Sequence, residues 1–186
     1  MFFPYDGNEA NFREPEVERE EVLLNTKVFQ VVRRMYRGGI ERVFVRHRGA
    51  VTIVATTPED KVLLIRQFRA PLGEWLWEIP AGTLEEGEDP FLCAQRELEE
   101  ETGFTSAEWS YLFPVCLAPG YSSEIIHFFR ARNARPVKGC ARLGDEDEVI
   151  YYLEVTKNEA FSLLQEKIIK DAKTIIGLQL WLGESP

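Results

Sequence analysis

The chain changes character at Val22, where a polar, acidic stretch holding Pro4 and Pro15 gives way to runs rich in β-branched and aromatic residues. Residues 1–20 read as a loosely held arm. The runs "VLLNTKVFQVVRRMYR" and "IERVFVRH" predict strands joined by a hairpin turn at Gly38 and Gly39. "GAVTIVATT" is almost continuously apolar, the pattern of a strand covered on both faces. "TPEDK" predicts a turn and "KVLLIRQFR" the next strand, so residues 22–69 read mainly as sheet. "PLGEWLWEIPAGTLEEGE" reads as strand and loop, punctuated by Pro71, Gly73, Pro80 and Gly82. Asp89 then has the place of an N-cap, Pro90 that of a first helical residue and Gly103 that of a left-handed C-cap, which predicts a helix from about Pro90 to Thr102. Further strands are predicted in "YLFPVCLA", "SEIIHFFRARNA" and "EVIYYLEV". Thr156 and Glu159 have capping-box spacing, opening a helix near Lys157, and "AKTIIGLQLWL" predicts a final amphipathic helix. Sheet, helix, sheet, helix in that order predicts an α+β fold of packed layers.

Composition narrows the function classes. With 186 residues the chain has material for one well-filled core. A net charge of −9 argues against a nucleic-acid surface, and it would repel anionic ligands unless arginines or metal ions compensate locally. Cys93, Cys116 and Cys140 are widely spaced and form no CxxC pair, so neither a disulfide framework nor a zinc site is expected, only buried or inert thiols. No basic segment followed by an apolar run opens the chain, and no run of apolar residues is long enough to cross a membrane. The reading is a soluble, cytoplasmic protein without nucleic-acid or membrane partners.

The chemistry concentrates in "AGTLEEGEDPFLCAQRELEEETGF". On a helix Glu97 and Glu101 lie one turn apart on one stripe, with Glu100 beside them. Like charges so placed destabilise an isolated helix by roughly 0.2–0.5 kcal/mol per pair. A charge run normally faces water. Here, however, a glycine turn at Gly82, a further carboxylate at Glu88, an arginine at Arg96 and a glycine stop at Gly103 frame it. A face of oxygen donors without His or Cys suits hard cations such as Mg2+ or Mn2+, whose charge relieves the repulsion.

That frame resembles the Nudix hydrolase signature, G-x5-E-x7-R-E-U-x-E-E-x-G-U with U a bulky apolar residue. Gly82, Glu88, Arg96, Glu97, Leu98, Glu100, Glu101, Gly103 and Phe104 fill every defined position. The resemblance implies an α/β/α sandwich around a mixed β-sheet, covering most of the chain. It also implies that Glu97 and Glu101 ligate Mg2+ (or Mn2+), that Glu100 assists, that the carbonyl of Ala81 completes the set, and that Arg96 clamps a glutamate rather than touching substrate. The reaction implied is hydrolysis of a nucleoside diphosphate linked to another group, with bound cations neutralising phosphate oxygens and acidifying water.

"VLLIRQFRAPLGEWLWEIPAG", and Pro119 fifteen residues beyond Phe104, resemble the branch of ADP-ribose and nucleoside-diphosphate-sugar pyrophosphatases. In that branch the products are a nucleoside monophosphate and a sugar phosphate. Other nucleoside diphosphate derivatives (dinucleoside polyphosphates, FAD, capped RNA) and a non-catalytic nucleotide sensor stand as alternatives. Arg69 and Arg66 are candidates to hold phosphates by forked hydrogen bonds, or else surface ion pairs. Glu78 reads as a contact to the base or ribose, or as a strand-end ion pair. Glu146, then Glu148, in "LGDEDEV" are candidates for the group that positions or deprotonates water, or else an acidic turn. Phe29 and Tyr36 are candidates for stacking on a base, or core residues, while His47 and His127 are expected to pack. The branch further implies a homodimer built through the N-terminal strands. The expected division is an arm over 1–20, a β-rich dimerisation segment over 21–48 and the hydrolase domain over 49–186.

Overall fold

The computed structural model describes residues 14–137 and 151–184. β1 (Val17–Asn25), β2 (Phe29–Tyr36) and β3 (Ile40–His47) form an antiparallel sheet in that order. The hairpin between β2 and β3 turns at Gly38 and Gly39, whose φ values of 90° and 79° are left-handed and favour glycine. Strand already begins at Val17, so the arm anticipated to residue 20 is β1 from that point. "VLLNTKVFQVVRRMYR" is also two strands, because Thr26 Oγ1 accepts the Phe29 N–H at 3.0 Å and donates to its carbonyl at 2.7 Å, a side-chain turn without glycine.

The centre is built from β4 (Ala50–Ala55), buried at all six positions, β5 (Val62–Arg69), β6 (Glu74–Glu78) and β7 (Ala81–Thr83). α1 (Pro90–Thr102), β8 (Phe104–Thr105), β9 (Glu108–Cys116), β10 (Ile125–Arg132) and β11 (Arg135–Pro136) follow. β12 (Tyr151–Val155), α2 (Lys157–Gln165) and α3 (Ala172–Leu182) complete the described chain. One sheet has the order β7-β4-β10-β9, with β10 parallel to β4 and the other pairs antiparallel. A second, antiparallel sheet has the order β12-β5-β6.

Alternating side chains on β4, β5 and β10 feed two cores. Val51, Ile53, Leu63, Phe129 and Ala131 pack with Cys93, Ala94 and Leu98 of α1. Val54, Val62, Leu64, Ile126 and Phe128 pack with Ala160 of α2 and Leu178 and Trp181 of α3. The α/β/α sandwich around a mixed sheet is therefore present, and the apolar runs of the central strands follow from burial on both faces. α3 lies close in because Gly177 has no side chain: a Cβ there would stand 2.7 Å from Ile79 Cδ1 and 3.0 Å from Val54 Cγ2.

The helix boundaries match the sequence signals. Asp89 accepts the N–H groups of Phe91 and Leu92, and Gly103, at φ 71°, donates to the Glu99 carbonyl. Thr156 and Glu159 close the capping box of α2. Asp171 caps α3, which the sequence pattern alone did not bring out. Among the described residues no helix is long and apolar enough to cross a membrane.

Candidate active site

α1 and the loop before it assemble the carboxylates. Arg96 turns back along the helix: Nε and Nη2 reach Glu88 at 3.0 and 3.1 Å, and Nη1 reaches Glu97 at 2.7 Å and Glu100 at 2.9 Å. Glu88 also accepts the Glu85 N–H at 2.8 Å, which ties the loop to the helix. The clamp expected of Arg96 is thus present, and it holds three glutamates rather than one. Hydrogen bonding from Arg96 keeps the Glu88 carboxyl below its ordinary range, and hydrogen bonding to Glu88 raises Arg96 in return. Three carboxylates share one guanidinium, so the cluster stays net negative. Beneath it, burial first and the Glu97 charge second push the Cys93 thiol up to about 12, making it inert. Cys116, in contrast, is exposed.

The two glutamates of the stripe meet one backbone corner. Glu101 is buried and accepts the Ala81 N–H at 2.9 Å. The Glu97 carboxylate occupies the space a side chain at Gly82 would fill, so a larger residue there would have to displace the end of Glu97. Among the described residues no three Asp, Glu, His or Cys side chains already converge as a metal cage. The donors that do gather, carboxylates with a net negative balance, have the chemistry of a hard divalent cation site.

A cleft of about 390 Å3 opens beside this corner, lined by Arg69, Leu72, Glu78, Ala81, Gly82 and Lys173 among others. Arg69 forks onto Glu78 through Nε at 2.7 Å and Nη2 at 2.6 Å. Glu78 is buried and receives a second cation, Lys173, which also lies 3.1 Å from Asp171. Burial acts to raise the Glu78 carboxyl, but bonds from Arg69 and the charges of Lys173 and Arg69 outweigh it and leave it lowered. Of the two readings for Glu78, the geometry is that of the ion pair.

A folded value below the unfolded 4.5 means that Glu78 contributes stability above 4.5 and loses it as pH falls through the lower folded value. Glu78→Gln is expected to cost about 3 kcal/mol at neutral pH, the scale for breaking a buried pair. Thermal melts should show this gap constant down to pH 4.5 and shrinking below it.

Other expected residues stand apart. Arg66 is exposed on the face of β5 opposite Arg69 and lies over the Trp77 ring at 5.4 Å, outside the cleft lining, a placement that does not support a phosphate contact. Phe29 lines a separate hollow with Arg46, Arg48 and the loop ending at Glu88. Tyr36 lines another, opposite Pro119. His47 accepts the Gly49 N–H at 3.1 Å and His127 meets the Tyr111 hydroxyl at 3.2 Å, both packing roles. Glu146 and Glu148 lie outside the described residues. Lys173 and Asp171 line the site without having been expected from the sequence. The cap spacing from Asp171 to Thr174 is a usable signal, whereas an inward-turned lysine has none.

Known proteins resemble this chain. Residues 46–176 match the NUDIX domain. The chain is 44% identical over 139 residues to the methanol dehydrogenase activator of Bacillus methanolicus, spanning 75% of each protein. It is 41% identical over 139 residues to the ADP-ribose pyrophosphatase of Bacillus subtilis, again 75% of each. Against the GDP-mannose pyrophosphatase of Yersinia enterocolitica it is 38% identical over 146 residues, 75% of this chain and 76% of that one. The crystal structure of an ADP compounds hydrolase superposes with a TM-score of 0.73 at 26% identity, over 91% of this chain and 93% of the other. With its signature glutamates gathered at the Ala81 and Gly82 corner, the chain belongs to the Nudix family.

Proposed function

We propose that this protein hydrolyses the diphosphate bond of ADP-ribose or a related nucleoside diphosphate sugar, giving a nucleoside monophosphate and a sugar phosphate. The observation that carries the reading is the junction of two features: the Glu97 and Glu101 corner at Ala81 and Gly82, and an adjoining cleft lined in part by Arg69. Relatives named for ADP-ribose and GDP-mannose pyrophosphatase activity support the substrate class. Glu97 and Glu101, with the Ala81 carbonyl and help from Glu100, would hold Mg2+ or Mn2+, which supplies charge neutralisation of the phosphates and an acidified water. Arg96 fixes the rotamers of Glu97 and Glu100, which are thereby preorganised. Arg69 engages Glu78 with Nε and Nη2, which leaves Nη1 outside that fork for a phosphate oxygen. Glu146 or Glu148 would position or deprotonate the water.

Homodimerisation through residues 21–48 goes with this reading. Its support is β1, exposed along all nine residues, with Val22, Leu24 and Val43 between 46% and 52% exposed on the same small sheet.

Phosphate release coupled to an added phosphatase tests the function over ADP-ribose, ADP-glucose, GDP-mannose, FAD and dinucleoside polyphosphates. The expected result is AMP and ribose 5-phosphate from ADP-ribose, with nucleotide sugars preferred about tenfold or more over FAD and dinucleoside polyphosphates in kcat/KM. The reverse preference, or binding without turnover in millimolar Mg2+, overturns it.

A further inference from the structure

β4 is buried at every position, and Thr52, with no exposed surface, is its one polar side chain. Valine has nearly the same shape and would fill such a place without burying a hydroxyl, which is costly unless it is bonded. The Thr52 hydroxyl donates to the Pro80 carbonyl at 3.1 Å. That carbonyl already accepts the Ile53 N–H at 2.8 Å, so the sheet does not depend on the hydroxyl to satisfy it. What sets this peptide apart is its other end. The Pro80 carbonyl and the Ala81 N–H belong to one planar unit and point opposite ways. The carbonyl is held by Thr52 and Ile53, while the N–H is donated to Glu101 Oε2 at 2.9 Å. The residue before is anchored as well, its N–H donated to Thr174 Oγ1 of α3 at 2.9 Å. A hydrogen bond to a peptide carbonyl polarises the unit and strengthens the bond its N–H gives.

We propose that Thr52 is a positioning residue for the metal site: through the Pro80–Ala81 peptide, its hydroxyl fixes Glu101 in the orientation from which that carboxylate takes a divalent cation. The proposal rests on the reading that Glu101 ligates Mg2+ or Mn2+. Thr52 touches neither metal nor substrate. It acts as the hydrogen-bonded neighbours of metal ligands do, by limiting the orientations open to the ligand and tuning its basicity. Strand pairing brings it there, because Thr52 stands opposite Ala81 where β4 meets β7. Its neighbours Val51 and Ile53 turn the other way, into the core against α1.

The test is Mn2+ binding to the full chain without substrate, followed by the electron paramagnetic resonance signal of free Mn2+, beside thermal melts. Thr52→Val keeps the shape and removes the hydroxyl. Its Mn2+ affinity is expected to fall about tenfold while the melting temperature holds. Thr52→Ser keeps the hydroxyl and drops the methyl group, so it should bind Mn2+ like the wild type but melt lower, because it leaves a small void. A merely structural threonine gives a different pair of results: Thr52→Val melts lower and its Mn2+ affinity is unmoved, which overturns the proposal. Thr52→Ser binding Mn2+ as weakly as Thr52→Val overturns it too, since the hydroxyl is then not what counts. Should Thr52→Val not fold, Thr52→Ser against Thr52→Ala isolates the hydroxyl between two small residues and decides. A wild type that binds no Mn2+ removes the underlying reading and this proposal with it, whereas wild-type binding with an unaltered Thr52→Val removes this proposal alone.

Discussion

Replacing Glu101 by glutamine is expected to lower kcat/KM for ADP-ribose by roughly 10²- to 10³-fold or more, the scale at which charge stabilisation of a reacting phosphate is lost. The fold should survive, because the amide oxygen of the new side chain can accept the Ala81 N–H that Glu101 accepts now at 2.9 Å. Only the anionic charge is removed, at a position 4% exposed, where water cannot substitute for it. Coupled phosphate release gives the rate, and an unchanged circular dichroism spectrum certifies the fold. Wild-type turnover in the variant would exclude Glu101 from the metal set.

Gly82→Ala is the second large effect, and its cause is steric. A Cβ at this position coincides with the Glu97 carboxylate, so either the side chain or the backbone corner must move. Displacing a catalytic group by about 1 Å costs on the order of 10²-fold in rate. The stability cost is small by comparison, because the Cβ meets only the end of the Glu97 side chain and neither backbone nor core. Gly82→Ala should therefore melt close to the wild type while its activity falls. A Gly82→Ala protein with unaltered kcat would show that the corner tolerates a displaced Glu97.

The two variants probe what the sequence makes legible, since the glycine and the glutamates belong to one continuous motif. Helical spacing alone places Glu97, Glu100 and Glu101 together on one face, and Asp89, Pro90 and Gly103 fix where that helix starts and stops. These are local rules, each settled within a few residues. Turn chemistry is equally local, yet it is legible only in part: Gly38 and Gly39 announce their hairpin, while Thr26 forms its turn through a hydroxyl that the β-rich run around it conceals.

What the cleft does with its charges is not legible in the sequence. Arg69 and Glu78 each carry two readings, and the chain offers no means of choosing because the fork between them forms only when β5 and β6 pair, and the third member, Lys173, lies ninety-five residues from Glu78. Arg66 and Arg69 look equivalent in "IRQFR", but strand alternation sends one to Trp77 and the other to the cleft.

By itself, then, the sequence determined the family signature, the caps of α1 and α2, the apolar central strands and the all-oxygen character of the carboxylate face, because periodicity and capping act over one or two turns of chain. Only the tertiary structure decided that β10 runs parallel to β4, that Arg96 grips three glutamates, that Glu97 fills the space above Gly82, and that Glu78 is shared between Arg69 and Lys173. Those contacts join segments distant in sequence, and their energies come from burial and charge pairing that exist only once both cores have closed around the sheets.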